Sequence, residues 1–201
     1  MGILNCTPDS FYPDSRRATH EAALEAARAM LEAGADILDV GGESTRPGSD
    51  PVDAAEETRR VVPVIEVLRG ESDVPISVDT RKAEVAQAAL DAGAEMVNDV
   101  SGLRDDPELA RLVAERGVPV VLMHMQGSPK TMQHRPHYSD TVADILEVLR
   151  DRIRAAEDAG IAADRIIVDP GIGFGKTVDD NLRILNATAR FREELGRPLL
   201  I

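Results

Sequence analysis

The chain has 201 residues and 43% of them are hydrophobic, which is enough for one domain with a substantial core. Its formal net charge of −13 argues against a nucleic-acid or membrane-surface partner, because a phosphate backbone would be repelled. The single cysteine, Cys6, excludes an intramolecular disulfide and favours a cytoplasmic protein, and no long apolar run predicts a membrane span.

Helix and strand patterns alternate along the chain. Ala- and Glu-rich segments with apolar residues at helical spacing, each followed by a glycine, predict helices over 19–33, 83–92, 107–116, 141–159 and 190–195. Val-, Ile- and Leu-rich segments predict seven strands, over 2–5, 36–40, 76–78, 96–100, 119–123, 165–168 and 198–201. Asp106 before Pro107 predicts a capped helix start.

This βα repetition predicts an α/β fold with a parallel sheet and right-handed crossovers. We expect an incomplete TIM-type (β/α)8 barrel, a single domain over 1–201 that lacks the end of strand 7 and all of unit 8. A complete open α/β sheet is the alternative. It is disfavoured because residues 199–201 (LLI) would end such a domain on an uncovered hydrophobic strand.

Polar residues stand where the apolar strand segments end. Asp79, Asn98 and Asp169 follow three different segments, and the carboxyl ends of parallel strands share one rim. Two carboxylates and an amide suit a flat heterocycle that is rich in N–H donors. Helix caps or loop anchors are the alternative interpretation of these residues.

Loops at the same rim carry further candidates. Asn5 lies beside a Thr-Pro-Asp-Ser turn whose oxygens could hold Mg²⁺ next to a phosphate. Arg46, in a segment that begins with two glycines, suits a pyrophosphate; an ordinary surface arginine is the less favoured alternative. The segment 169–176 is no phosphate-binding loop, because position 170 is proline; it predicts a flexible loop that carries Phe174 over the site for stacking. His124 is interpreted as a core residue or a supporting residue, with a catalytic base as the less favoured alternative.

Read together, these segments resemble the dihydropteroate synthase family of folate biosynthesis. The matching stretches are 1–11 (MGILNCTPDSF), 39–48 (DVGGESTRPG), 77–80 (SVDT), 97–102 (VNDVSG), 122–127 (LMHMQG) and 169–176 (DPGIGFGK). They are correctly ordered and cover essentially the whole chain. Cys6 is a mild departure, since the family more often has valine there.

The resemblance implies a barrel, often a homodimer, that joins 4-aminobenzoate to 6-hydroxymethyl-7,8-dihydropterin diphosphate and releases pyrophosphate. It assigns the pterin ring to Asp79, Asn98, Asp169 and Met123, and the aminobenzoate pocket to Thr45, Pro47 and Phe174. It assigns the diphosphate to Asn5 and Arg46, the Mg²⁺ to Asn5, and a shielding role in a mobile loop to Asp9. Asp79, Asp169 and Arg46 would act in catalysis by stabilising charge.

One departure from the family concerns the end of the sequence. The family carries a Ser-Arg-Lys segment at strand 7 and an Arg-x-His segment after strand 8, and both would lie beyond Ile201. We therefore expect an incomplete chain with little synthase activity by itself. Two rival readings remain: a pterin-dependent methyltransferase-type barrel, and a non-catalytic pterin-binding fragment.

Overall fold

The computed structural model describes residues 1–7, 16–45, 49–128 and 130–201, with residues 16–19 described by their backbone alone. Within these residues the chain divides into two compact units. Unit 1 consists of Met1–Ser44 and Pro51–Asn98, and unit 2 consists of Thr45–Asp50 and Asp99–Ile201. The single domain expected over 1–201 stays a prediction.

Unit 1 is built on parallel strands that pair in chain order. These strands are β1 (Gly2–Asn5), β2 (Leu38–Gly41), β3 (Ile76–Asp79) and β4 (Met96–Asp99). Their connecting helices are α1 (Arg16–Glu32), α2 (Ala54–Glu71) and α3 (Ala83–Asp91). Strand β2 is buried throughout, and α2 packs on β2 and β3 with Val61, Ile65 and Leu68 inside. Burying each Leu or Ile contributes about 1.5–3 kcal/mol, so this interface holds the strand ends in place.

Helix α2 continues through a proline. Asp53 caps its first turn by accepting a hydrogen bond from the backbone N–H of Glu56 at 2.7 Å. Pro63 lies inside the helix and removes one backbone donor, at a cost of about 3 kcal/mol in an ordinary helix interior. Val64 and Ile65, directly after it, are fully buried. Tertiary packing therefore outweighs a local helix breaker here.

Unit 2 holds the parallel pair β5 (Val120–Met123) and β6 (Ile166–Asp169). Its helices are α4 (Pro107–Arg116), α5 (Thr141–Asp158), α6 (Val178–Asn186) and α7 (Thr188–Leu195), with a short 3-10 helix at Ala163–Arg165. Helix α5 packs on α6 and α7, and Leu149, Ile184 and Phe191 are fully buried. As predicted, Asp106 caps α4, accepting from the N–H of Glu108 at 3.0 Å.

Several strand bounds differ from the sequence prediction by one or two residues. Strands β2, β3 and β6 each include one more residue at their carboxyl end, so Gly41, Asp79 and Asp169 are strand residues themselves. The strand predicted over 198–201 is a single parallel bridge between Val168 and Leu199. Only two backbone hydrogen bonds, from Val168 to Pro198 and from Leu200 to Val168, support it. Over the described parts of the chain, no helix is both long enough and apolar enough to cross a membrane.

Candidate active site

Four strand ends of unit 1 lie in one transverse row of the sheet. Asn5 pairs with Gly41, Gly41 pairs with Asp79, and Asp79 pairs with Asn98. Because neighbouring strands are about 4.8 Å apart and residues in one parallel register share a face, Asp79 and Asn98 are direct neighbours, and Asn5 lies on the same face one strand beyond Gly41. The structure therefore brings together Asn5, Asp79 and Asn98.

Glycine at the second place in this row leaves room for the acid next to it. A Cβ atom on Gly41 would lie 3.4 Å from both Cβ and Oδ2 of Asp79. The next glycine, Gly42, is closed in from the helix side, since a Cβ there would meet Val61 at 2.9 Å and the backbone oxygen of Glu57 at 3.1 Å. The paired glycines thus serve two purposes: one opens the row, and the other lets α2 approach the strand.

A buried acid stands behind the amide of the row. Oδ2 of Asp39 accepts a hydrogen bond from Nδ2 of Asn98 at 3.0 Å. Burial raises the pKa of Asp39, against the effects of hydrogen bonds from Ser77 and Asn98. Asp39 lies within the strand predicted over 36–40 and had no predicted role, because nothing local shows that it meets a residue 59 positions away.

A charged cluster holds the start and the end of the loop that carries Arg46. The Glu43 carboxylate accepts from the backbone N–H of Val52 at 3.1 Å and pairs with Arg81 and Lys82. Lys82 also pairs with Glu57, which is 1% exposed. Burial opposes ionisation of Glu43, but the hydrogen bonds from Lys82, Val52 and Arg81 outweigh it and lower the pKa of that carboxyl.

Several predicted residues of this and the neighbouring loop have little or no structural description. Thr45, predicted for the aminobenzoate pocket, is half-buried. Arg46 and Pro47, predicted for the diphosphate and the aminobenzoate pocket, lie outside the described residues, as does Asp9 of the first loop. Their roles stay predictions from the resemblance.

Strands β5 and β6 of unit 2 also end in a paired position. Met123 pairs with Asp169 in the parallel register. Oδ1 of Asp169 accepts from the backbone N–H of Gly171 at 2.6 Å. Burial raises the pKa of Asp169 to about 6, against the effects of the Gly171 hydrogen bond and the Lys176 charge. At pH 7 this carboxylate is mostly ionised, but it binds a proton more tightly than an exposed aspartate does.

An apolar cluster adjoins this pair. Val100, Met123, Met125 and Met132 are buried together, and Phe174 packs against them from the glycine-rich loop after β6. Met123 and Phe174, predicted for the ring face and the second substrate, thus belong to the same cluster. Thioether side chains adapt well to flat aromatic surfaces.

Lys176 and His124 form a buried pair that the sequence did not predict. Nζ of Lys176 lies 3.0 Å from Nδ1 of His124, and the two residues are 4% and 5% exposed. Burial, together with the charges of Lys176 and Arg104, lowers the pKa of His124 to about 3, so its ring is neutral. His124 is a buried residue, as expected, but it is also the partner of a buried cation.

Comparison with known proteins identifies the family. The sequence model of one protein family, described as pterin binding enzyme, matches residues 1–201. The probable bifunctional folylpolyglutamate synthase/dihydropteroate synthase of Haloferax volcanii is 51% identical over the whole chain, which spans 24% of that protein. The dihydropteroate synthase of Synechocystis sp. is 43% identical over the whole chain, which spans 69% of it.

Solved structures agree with these relatives. Xanthomonas albilineans dihydropteroate synthase with 4-aminobenzoic acid matches 98% of the chain at 50% identity and a TM-score of 0.90, and the match covers 70% of that protein. The same enzyme in complex with 7,8-dihydropteroate matches with a TM-score of 0.86. This likeness confirms the predicted fold class, an α/β fold of the barrel type. As its motifs predicted, the chain belongs to the pterin-binding enzyme family and, within it, to the dihydropteroate synthases.

Proposed function

We propose that this chain carries the pterin and aminobenzoate sites of an enzyme that condenses 4-aminobenzoate with 6-hydroxymethyl-7,8-dihydropterin diphosphate. The row of Asn5, Gly41, Asp79 and Asn98 carries the proposal, because it sets the Asp79 carboxylate beside the Asn98 amide on the adjacent strand, with a second amide, Asn5, one strand beyond Gly41. A carboxylate accepts from two N–H groups of a heterocycle, and a neighbouring amide both donates and accepts. That combination matches the polar edge of a pterin.

The proposed reaction needs stabilisation of opposite charges at two places. The C–O bond to the diphosphate breaks and the leaving group takes the electron pair, which leaves a cationic pterin methylene. The aniline nitrogen then forms the new C–N bond and loses a proton. Asp79 and Asp169, as carboxylates on the ring edge, stabilise the cation electrostatically. Met123 packs on the ring face, consistent with its buried place beside Asp169.

A magnesium ion fits the donor set of this row. Among the described residues, no three His, Cys, Asp or Glu side chains cluster as metal ligands. Mg²⁺ commonly keeps several waters and takes few protein oxygens together with substrate phosphates. We propose that the amide oxygen of Asn5 is such a ligand. When bound, the ion neutralises charge on the leaving diphosphate.

The remaining roles concern the second substrate and the leaving group. We propose that Thr45, Pro47 and Phe174 frame the aminobenzoate, that Arg46 holds the diphosphate, and that Asp9 shields the reaction. Support within the described residues comes from the packing of Phe174 on the methionine cluster and from the hydrogen bond between Glu43 and Val52 near the loop of Arg46.

We also propose a cytoplasmic homodimer. Val178, Leu182 and Leu185 of α6 are spaced along one helix face and are 78%, 54% and 46% exposed, which suits a surface covered by a second copy. Light scattering of the complete gene product should give twice the mass of one chain. A measured mass equal to that of one chain would contradict this part of the proposal. The buried free thiol of Cys6 is in keeping with a reducing compartment.

The decisive experiment follows both products of the complete gene product. Incubation with the dihydropterin diphosphate, 4-aminobenzoate and Mg²⁺ should yield dihydropteroate and pyrophosphate in equal amounts. Asp169→Asn should weaken pterin binding by about 1.5–3 kcal/mol in calorimetry, as for a hydrogen bond to a charged group. Asp158→Asn, on the exposed end of α5, serves as the control. Methyl transfer from a folate without pyrophosphate release would instead support the methyltransferase reading.

A further inference from the structure

Three successive backbone carbonyls of the loop after β6 are each held by a side chain. The oxygen of Gly173 accepts from Nε2 of Gln133 at 2.7 Å, that of Phe174 from Nζ of Lys176 at 2.8 Å, and that of Gly175 from the hydroxyl of Tyr138 at 2.7 Å. A loop with three glycines in seven residues has high conformational entropy when it is free. These donors hold it in a single conformation around Phe174.

Lys176 is the buried member of this set, and every donor that it has is used. Its ammonium group contacts the backbone oxygen of Phe174 at 2.8 Å, that of His124 at 3.2 Å, and Nδ1 of His124 at 3.0 Å. An ammonium carries three N–H groups, so the three acceptors match it one to one. Because an ammonium group can only donate, Nδ1 of the neutral His124 ring accepts from Lys176, which puts the ring proton on Nε2. Lys176 therefore ties the loop to the residue that directly follows β5.

The backbone contact between loop and strand is equally close. A Cβ atom on Gly171 would lie only 2.0 Å from the backbone oxygen of His124. The loop thus packs directly on the end of β5, and the Lys176 ammonium adds hydrogen bonds to the backbone oxygen and the ring of His124. Phe174, between Gly171 and Lys176, is held against Met123, Met125 and Met132 as a consequence.

We propose that Lys176 is a positioning residue for the condensation: it fixes Phe174 as a rigid wall against which the aminobenzoate ring packs. This inference rests on the proposed function and deepens it. A fixed aromatic surface binds a flat ring without having to be ordered at the moment of binding, which improves affinity. This role does not require Lys176 to contact the substrate.

The charges around Lys176 make its clamp sensitive to pH. Burial lowers the pKa of Lys176 to about 7, against the effects of Asp169 and Asp180. Other groups also lie around Lys176 and His124. The His124 ring is neutral, Arg104 contributes a positive charge, and the Tyr138 ring contacts that of His124. Below about pH 7 the ammonium has three donors; above it the amine keeps only two for its three acceptors. The KM for aminobenzoate should therefore rise as the pH increases through 7.

The test is a double-mutant cycle in the complete gene product, read as the KM for 4-aminobenzoate. Lys176→Met should raise that KM about tenfold at a pH below 7, as expected for loss of a charged hydrogen-bond donor. In a Phe174→Leu background the same substitution should change KM by less than about threefold, because the wall it positions is already altered. Lys176→Gln, which keeps two donors but no titrating group, should give an intermediate KM that does not vary with pH. Lys130→Met makes the same change at an exposed lysine and should leave KM unaltered.

Two results would overturn the inference. One is an unchanged KM in Lys176→Met; the other is the same fold-change in the wild-type and Phe174→Leu backgrounds. If Lys176→Met does not fold, Lys176→Gln alone decides, since a wild-type pH profile of KM in that variant contradicts the proposal. Failure of the proposed function is a different outcome, in which the unmodified protein neither binds the pterin diphosphate nor forms product.

Discussion

Asn98 donates one amide N–H to the buried carboxylate of Asp39, with 3.0 Å between nitrogen and oxygen. This bond decides which way the amide faces, because Nδ2 must point to the acid and Oδ1 must point elsewhere. Asn98 thus presents its carbonyl oxygen and one remaining N–H next to Asp79 in the same row. The amide is oriented before any ligand arrives.

Removal of Asp39 should release that orientation. We expect Asp39→Ala to weaken pterin binding by about tenfold, since the amide then has two orientations and its buried N–H lacks an acceptor. Asp39→Asn keeps an acceptor oxygen and should lose less. Asp36→Ala removes an exposed carboxylate from the same segment and serves as the control in calorimetry. Equal affinities for Asp39→Ala and the control would refute the orienting role.

The buried carboxylate of Asp169 should reduce the stability of the unliganded protein at neutral pH. Its pKa is raised from 3.8 to about 6, so between these values the folded state binds the proton more tightly than the unfolded chain does. Stability from this group is present below pH 3.8 and lost as the pH rises through 6. Asp169→Asn should therefore raise the free energy of unfolding at pH 7 by up to about 3 kcal/mol, although it weakens pterin binding.

Urea denaturation at several pH values tests this statement. The advantage of Asp169→Asn should be full above pH 6 and should fade as the pH falls towards 4, where the wild-type carboxyl is protonated. A difference between the two proteins that is the same at every pH would show that burial of the charge is not its cause.

The cluster of Glu43, Glu57 and Lys82 should be essential to unit 1. Lys82→Met leaves Glu57, which is 1% exposed, without its cation, and we expect a loss of about 3 kcal/mol in the free energy of unfolding. A second substitution, Glu57→Leu, removes the stranded charge and should recover much of that loss. Arg111→Met breaks an exposed pair with Glu115 and should cost less than about 1 kcal/mol. Thermal unfolding of the four proteins gives the comparison.

Two glycines of the loop after β6 should respond differently to the same substitution. Both have positive φ angles, 71° at Gly171 and 84° at Gly173, so alanine is strained by about 1–2 kcal/mol at either position. At Gly171 the new Cβ would also meet the oxygen of His124 at 2.0 Å, whereas nothing lies within 4 Å at Gly173. Gly171→Ala should therefore lower the melting temperature and weaken pterin binding much more than Gly173→Ala. Equal losses in the two variants would mean that the close contact has no importance.

Local chemistry was sufficient to predict much of this fold. The start of α4 at Asp106 and Pro107 and its end before Gly117 depend on a cap, a preset φ and a left-handed residue, all within the segment itself. Helix α6 was not predicted, although Thr177 and Asp180 form a capping box at its start. The glycines before Thr177 are typical of a loop, and the cap that ends this loop is a much shorter pattern.

The sequence by itself determined the family, the alternation of strands and helices, and the polar residues at the strand ends, because motifs and periodicity are local properties. Only the tertiary structure decided which polar residues form hydrogen bonds that orient the side chains of the candidate site. Asp39 meets Asn98 across 59 positions, and Lys176 meets His124 across 52. Such pairs depend on strand register and loop packing, which bring distant residues within hydrogen-bonding distance and bury their charges, and no local pattern specifies either.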